Sequence, residues 1–249
     1  MPIKESNLEI ENLEAFKTIW KASKRKLVLV GVNQPNSVAQ KHLDNLAEDD
    51  SVLVLTETTS NIHHDKFIPG IDKLIGAFNQ DDFKKLQPEI LLTFGGLVVS
   101  KKIKKLLREF KPKHHWHVGE HNANDTFFVL DKVFKTSVNT FFSKFLENTT
   151  TVKSDYNPYW LAQFNNRRKK HKTYMEAIPF SDFQVFNQLL STIPDNSILQ
   201  VGNSSAIRYT QLFDLNKTIK VFCNRGTSGI DGSTSTAIGT AAIAQEQTV

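Results

Sequence analysis

Two turns in the carboxyl-terminal part of the chain carry residues suited to binding an anion. The first, Gly202-Asn-Ser-Ser-Ala-Ile-Arg208, places Ser204 and Ser205 where a predicted strand turns into a predicted helix, with Arg208 further along that helix. Free backbone N–H groups and the helix dipole favour an anion at such a turn. Serine is used there more often simply to cap the helix, so both interpretations stay open.

The second turn is rich in glycine and also follows a predicted strand. It reads Asn224-Arg-Gly-Thr-Ser-Gly-Ile-Asp-Gly232, and small residues continue from Ser233. Glycines let a backbone approach a ligand closely, and Arg225 can bind a carboxylate or phosphate through two N–H groups. A glycine loop with a surface arginine explains this turn equally well by itself. If the two strand ends are neighbours, Ser204, Arg208 and Arg225 share one anion site.

A third basic segment, Ser100-Lys-Lys-Ile-Lys-Lys105, follows a predicted strand and a Gly-Gly turn. Lys101 and Lys102 fall in the first turn of the predicted helix, where the helix dipole disfavours a cation unless an anion is bound. We therefore expect Lys101 and Lys102 to contact an anionic ligand. Lys104 and Lys105 are predicted to lie on a solvated basic face.

Histidine and aspartate offer weaker signals for chemistry. In a strand at 114–118 only His115 and His117 share a face, and no carboxylate stands at a convincing ligating offset, so we expect edge and loop histidines and no metal site. Asp231 is predicted to cap the helix that follows it rather than to act as an acid or base.

These segments are held by alternating short apolar strands and helices. Near-continuous apolar strands between helices predict a parallel α/β sheet covered by helices on both faces, a Rossmann-like arrangement whose sites lie at the carboxyl ends of the strands. Strands are expected at Lys26–Val32, Ser51–Thr56, Glu89–Phe94 and His114–Val118, and helices at Val38–Glu48, Ile71–Ala77, Asp81–Leu86 and Val99–Phe110.

The regular alternation stops after residue 118 and resumes near residue 180. The segment Glu147–Lys172 is rich in Asn, Thr, Lys and Arg and is predicted to be an exposed linker or surface helix. We therefore expect two domains, residues 1–170 and residues 171–249. The second has only two predicted strands, Ser197–Val201 and Ile219–Cys223, with helices at Phe180–Thr192, around Arg208 and in the Ala-rich end. So little sheet predicts an incomplete α/β unit.

Composition excludes several classes of protein. The 249 residues are 39% hydrophobic and 23% charged, with a net charge of +5 and a single cysteine, Cys223, which argues against a disordered or disulfide-stapled chain. No apolar run approaches the roughly 20 residues of a membrane span, and no leader is recognised. The basic clusters lack the interleaved aromatics of a nucleic-acid groove. We expect a cytoplasmic protein that binds neither nucleic acid nor membrane.

The segments Gly202–Arg208 and Asn224–Gly232 together resemble a known enzyme family. They are similar to the thiamine-diphosphate-dependent synthases of menaquinone biosynthesis, which make 2-succinyl-5-enolpyruvyl-6-hydroxy-3-cyclohexene-1-carboxylate. The resemblance covers the chain, with residues 1–170 similar to the family's central Rossmann-like domain and residues 171–249 similar to the start of its diphosphate-binding domain. It implies a homodimer or homotetramer.

The activity that this resemblance implies is a carboligation. The thiamine ylide attacks 2-oxoglutarate, carbon dioxide leaves, and the succinic semialdehyde unit adds to isochorismate. Both substrates are anions, which suits a basic site. By the same resemblance Ser204, Arg208 and Arg225 belong to the substrate pocket. Lys101 and Lys102 match a basic pair of the central domain, with Lys102 where arginine is common.

The resemblance also implies thiamine diphosphate and Mg²⁺ as cofactors. This sequence contains one residue that matches a cofactor contact of the family. Ile230 matches the apolar residue under the thiazolium ring. The family's activating glutamate would precede residue 1, and its Mg²⁺- and diphosphate-binding segment would follow residue 249. We therefore expect the chain alone to bind thiamine diphosphate poorly and to be inactive. The alternative function is a non-catalytic α/β module that binds a small anion.

Overall fold

The computed structural model describes residues 13–226, 229–244 and 247–249. Residues 227 and 228 of the glycine-rich turn lie outside those ranges. A six-stranded sheet organises the first unit, and every neighbouring pair in it is parallel. Its strands are β1 (Lys26–Val30), β2 (Val52–Thr56), β3 (Ile68–Pro69), β4 (Ile90–Phe94), β5 (His114–Val118) and β6 (Leu130–Phe134), in the order β3-β2-β1-β4-β5-β6.

Apolar side chains on both faces of the strands explain why helices cover both sides of the sheet. Val28 and Val30 of β1 face one core, which is closed by α1 (Leu13–Ala22), α2 (Gln40–Glu48) and α6 (Val138–Phe145). Leu27 and Leu29 face the other core, which is closed by α3 (Ile71–Ile75), α4 (Gln80–Leu86), α5 (Lys101–Glu109) and α7 (Tyr156–Ala177). The predicted Rossmann-like α/β arrangement is confirmed.

The strand order reverses direction between β1 and β4, because the chain runs outward from β1 to β3 and then returns to β4. Such a switch point opens a crevice at the carboxyl ends of the strands. The two chain segments approach each other closely there: Gly96 N donates to Val32 O at 2.7 Å, and a side chain at Gly31 would collide with the carbonyl of Gly96. Glycine at 31 is therefore required by this contact.

Strand β6 and helix α6 were not expected from the sequence. β6 is an edge strand with exposed Asp131 and Lys132, so it lacks the apolar run of the central strands. Helix α6 begins after Ser137, whose hydroxyl accepts from Thr140 N at 3.1 Å, and it buries Phe141 and Phe145. β6 thus adds a strand to the four that were predicted, and α6 adds a helix to one face of the sheet.

The second unit is small. After α7 come α8 (Asp182–Ser191), β7 (Ile198–Val201), α9 (Ser205–Thr210), β8 (Lys220–Cys223) and α10 (Ser233–Ile243), and β7 and β8 form a two-stranded parallel sheet. Ser181 caps α8, its hydroxyl accepting from Gln184 N. Asp231 does not cap α10, because Gly232 is the residue at that position.

Helix α7 joins the two units. Of the expected linker or surface helix, the structure shows a helix for most of this segment, but the amino-terminal part of that helix is partly buried. Tyr156, Trp160 and Phe164 are buried against the first sheet, so the amino-terminal part of the helix belongs to that core. The helix passes through residue 170 without a break. The domain boundary near residue 170 stays a prediction.

Candidate functional site

The two units meet where α5 begins. Val99, just before α5, packs with Val201, Ile207, Ile219 and Val221 in the core of the second unit. Because β7 and β8 are parallel, both end on the same side of their small sheet. This packing connects the start of the lysine-rich helix directly to the unit that carries Arg225.

The amino-terminal end of α5 already binds an anion, which is the side chain of Glu57. Its carboxylate accepts from Val99 N at 2.6 Å and from Ser100 N at 2.7 Å, and Glu57 is 2% exposed. Burial raises the pKa of Glu57 to about 7, although these two bonds lower it. The anion expected from the position of Lys101 and Lys102 in the first turn is thus supplied by the chain itself.

Lys101 and Lys102 both have exposed side chains in the first turn of α5. Lys102 Nζ lies 3.5 Å from the carbonyl of Gly76, and Lys101 lines an open basic surface with Lys105 and Arg108. Both lysines are accessible to a ligand. No described contact joins either of them to Arg225, so their role in a shared site stays a prediction.

Lys104 is the lysine of α5 that lies near Arg225, and the expectation of a solvated Lys104 is wrong. Its side chain is half-buried and Nζ donates to Val98 O at 3.0 Å. Burial lowers the pKa of Lys104, and the next largest cause is the charge of Arg225. The positive charge of Arg225 thus disfavours the charged form of Lys104, and a bound anion would offset this effect.

Arg225 lies two residues after the end of β8 and is half-buried. Its Nη1 donates to Asn203 Oδ1 at 3.0 Å, whereas its Nε is buried without a hydrogen-bond partner in the part of the chain that the structure describes. A buried guanidinium donor without an acceptor is costly. Arg225 therefore has hydrogen-bonding capacity left for a ligand oxygen.

Asn203 connects the two predicted anion-binding turns, and the sequence analysis missed it. Its Oδ1 accepts from Arg225, and its Nδ2 donates to Asn224 O and, at 2.6 Å, to Gly229 O. The amide thereby ties the end of β7 to the loop after β8. An asparagine between Gly202 and Ser204 in a strand-to-helix turn was the available signal.

Ser204 and Arg208 are exposed at the start and within the short helix α9. Ser204 has φ 68° and ψ −122°, a backbone conformation that costs a non-glycine residue about 1–3 kcal/mol. Its side chain makes no capping hydrogen bond, so the capping interpretation of Ser204 is wrong. Ser204 adjoins Asn203, which places its turn next to Arg225.

Ile230, the predicted cofactor contact, lies in the loop between β8 and α10 and is 67% exposed. Ile238 and Ile243 of α10 are exposed as well, and α10 has no buried residue. An apolar side chain presented to solvent in this way is free to contact a flat ligand or another protein surface.

A separate cleft of about 290 Å³ opens at the switch point between β1 and β4. Thr93 Oγ1 lies 3.0 Å from His115 Nε2 and 2.9 Å from His117 Nδ1 on its wall, so the expected shared face of these histidines is confirmed. His115 is an interior residue rather than an edge residue, and burial lowers its pKa to about 4. Lys104 also lines this cleft.

Neither a membrane span nor a metal centre is found within residues 13–226, 229–244 and 247–249. No helix there is both long and apolar enough to cross a bilayer. No three His, Cys, Asp or Glu side chains there come together as metal ligands.

Comparison with known proteins agrees with this fold. Residues 5–201 match the protein family described as "Middle domain of thiamine pyrophosphate". The chain is also similar to the solved structure of a candidate thiamin diphosphate-dependent enzyme from Mycobacterium smegmatis, with a TM-score of 0.60 and 14% identity. The match covers 95% of this chain and 45% of that structure. At this identity the structural likeness shows the fold alone.

Curated relatives carry one recurring name. A Flavobacterium johnsoniae protein named 2-succinyl-5-enolpyruvyl-6-hydroxy-3-cyclohexene-1-carboxylate synthase is 52% identical over 93% of this chain, and the match covers 42% of that relative. Its namesake in Flavobacterium psychrophilum is 50% identical over 98% of this chain and 44% of the relative. The chain thus spans less than half the length of these relatives. From the match over residues 5–201, the chain belongs to the family of thiamine pyrophosphate middle domains.

Proposed function

We propose that this chain is part of a 2-succinyl-5-enolpyruvyl-6-hydroxy-3-cyclohexene-1-carboxylate synthase and that it supplies cations that bind the carboxylates of the substrates. In that reaction 2-oxoglutarate loses carbon dioxide and the remaining unit is added to isochorismate. The names of the curated relatives support this assignment. The observation that carries the anion-binding role is the half-buried Arg225, whose Nε has no hydrogen-bond partner in the part of the chain that the structure describes.

Four basic side chains and one serine are proposed to contact the substrates. Arg225 has an unused buried N–H group and binds a carboxylate from the end of β8. Ser204 and Arg208 extend the contact along the neighbouring turn. Lys101 and Lys102 approach from the start of α5 and neutralise further negative charge.

Thiamine diphosphate, when bound, supplies the decarboxylation chemistry that amino-acid side chains lack. The described residues fit this cofactor only in part. Ile230 offers an exposed apolar contact for the thiazolium ring, but the described residues include no ligand set for Mg²⁺. In our proposal the Mg²⁺ and diphosphate ligands belong to other parts of a homodimeric or homotetrameric cytoplasmic enzyme.

Calorimetric titration of the chain with 2-oxoglutarate, and separately with isochorismate, tests the anion-binding role. We expect weak binding that weakens further with salt, since exposed charges are screened. R225A should reduce the affinity about tenfold or more, because a hydrogen bond to a charged group is worth about 1.5–3 kcal/mol. R167A, which removes an arginine from another basic stretch, is the matched control. Equal affinities in R225A and the unsubstituted chain would contradict the proposal.

The alternative, a non-catalytic α/β module for a small anion, uses the same cations and differs in its need for the cofactor. Titration with thiamine diphosphate and Mg²⁺, with and without the rest of the enzyme, separates the two. Enhancement of substrate binding by the cofactor in the completed enzyme supports the carboligase. Anion binding that never responds to the cofactor supports the module.

A further inference from the structure

A five-residue segment after β2, Glu57 to Asn61, contacts both elements that carry the proposed anion-binding cations. It contains one 3₁₀ turn, Thr58–Ser60. Ser60 Oγ accepts from Glu57 N at 2.9 Å and donates to Val30 O at 2.9 Å, which fixes the turn to the end of β1. The segment is thus anchored in the central sheet.

Asn61, at the end of this segment, hydrogen-bonds to β8 as a neighbouring strand would. Its Oδ1 accepts from Val221 N at 2.8 Å, and its Nδ2 donates to Val221 O at 3.0 Å. The same Nδ2 donates to Asn33 O, also at 3.0 Å. Asn61 has φ 49°, a left-handed conformation that asparagine tolerates better than most residues. One amide therefore ties the small sheet to the end of β1.

Glu57, at the start of the segment, holds the beginning of α5 through Val99 N and Ser100 N. Ser100 in turn caps α5 by accepting from Ile103 N at 3.1 Å, and its hydroxyl donates to Asp72. Val99 packs in the core of the second unit. The buried carboxylate consequently fixes where α5 begins relative to β8.

Through these contacts the segment Glu57–Asn61 relates the position of α5 to that of β8. Lys104 lies on α5 and Arg225 lies two residues after the end of β8, so the separation of the two cations depends on how each element is attached to the central sheet. Glu57 attaches α5 and Asn61 attaches β8, while Ser60 anchors the link between them.

We propose that Glu57 and Asn61 are positioning residues that set the distance between Lys104 and Arg225 and so the anion affinity of the site, without contacting the anion. The role in affinity rests on the proposed function. The role in attaching β8 does not, so the two can be tested separately.

The deciding variant is N61G, because glycine keeps the left-handed conformation and removes only the amide. The control is N79G: the side-chain amide of Asn79 also hydrogen-bonds to the backbone, accepting from Asp81 N and Asp82 N, but it caps α4. E57Q, which keeps one carbonyl oxygen for the two N–H groups of α5, is the second variant.

The first readout needs no ligand. Cys223, the single cysteine, ends β8 and is half-buried, with Sγ 3.6 Å from Asn203 Oδ1. If Asn61 attaches β8, alkylation of Cys223 should be several-fold faster in N61G and unchanged in N79G. Equal rates in N61G and the unsubstituted chain would overturn the attachment.

The second readout is the calorimetric affinity for 2-oxoglutarate. We expect N61G to lose roughly three- to tenfold, because only the fraction of molecules with correctly placed cations binds. E57Q should lose less, because it also removes a negative charge that acts on Lys104. N79G should lose less than twofold. Unchanged affinity in N61G despite faster alkylation would refute positioning while leaving the anion site intact. Absence of binding by the unsubstituted chain would refute the proposed function and the affinity role, and alkylation would still decide the attachment.

Discussion

Glu57→Gln should change how the stability of the chain depends on pH. Burial raises the pKa of Glu57 from 4.5 to about 7, so the folded chain keeps this proton where the unfolded chain has lost it. The stability that Glu57 contributes is therefore fully present below pH 4.5 and is lost as the pH rises to about 7. At about 1.4 kcal/mol for each pKa unit, the loss is about 3 kcal/mol. Glutamine has no proton to lose.

Only the difference between the two chains isolates Glu57, because buried histidines titrate in the opposite sense. Burial lowers the pKa of His115 from 6.5 to about 4, so its contribution to stability rises with pH over that range. Both chains are therefore unfolded in urea at pH 5 and at pH 8, and the histidine contribution cancels in the difference between their stabilities. Because part of the loss has already occurred at pH 5, we expect the stability of E57Q relative to the unsubstituted chain to rise by about 2.5 kcal/mol between these pH values.

E48Q, in the exposed end of α2, is the matched control and should follow the unsubstituted chain at both pH values. A stability difference between E57Q and the unsubstituted chain that stays constant from pH 5 to pH 8 would refute the reasoning. It would mean that the two N–H groups at the start of α5 stabilise the carboxylate enough to offset its burial.

Three further predictions concern other contacts. D49N should cost about 3–5 kcal/mol in urea unfolding, because it leaves the fully buried Lys26, whose Nζ lies 2.9 Å from Asp49 Oδ2, without its counter-ion. G70A should lower the thermal midpoint by more than an exposed alanine substitution does, because residue 70 has φ 76° and its new methyl group would collide with the carbonyl of Gln211. K104M should weaken 2-oxoglutarate binding in calorimetry about tenfold while retaining the buried part of the side chain; unchanged binding would remove Lys104 from the site.

The central strands and their helices could be predicted because they bury long apolar runs. β1, β2, β4 and β5 all lie within one or two residues of their expected bounds. The edge strand β6 was not predicted. It pairs with one strand only and is partly exposed, so it can hold the charged residues Asp131 and Lys132 in its middle. Hydrophobic periodicity reports burial, so it is weakest where an element is half-exposed.

The residues of the candidate site likewise include some that the local sequence indicated and one that it did not. Arg225, Ser204 and Arg208 were recognisable because each lies in a turn whose glycines or serines favour a ligand at a strand end. Lys104 was misjudged, since nothing local distinguishes it from the neighbouring lysines of α5. Its half-burial results from its place on the wall of the switch-point cleft, where Nζ donates to Val98 O.

The sequence by itself therefore determined the parallel α/β class, the order of its main elements and the turns that carry the candidate anion-binding residues, since these depend on local patterns. Tertiary structure alone decided that Glu57 occupies the start of α5, that Asn61 pairs with β8 and that Asn203 joins the two turns. Each of these contacts joins residues at least twenty positions apart. Such partners are specified by the packing of whole elements, so no local pattern records them.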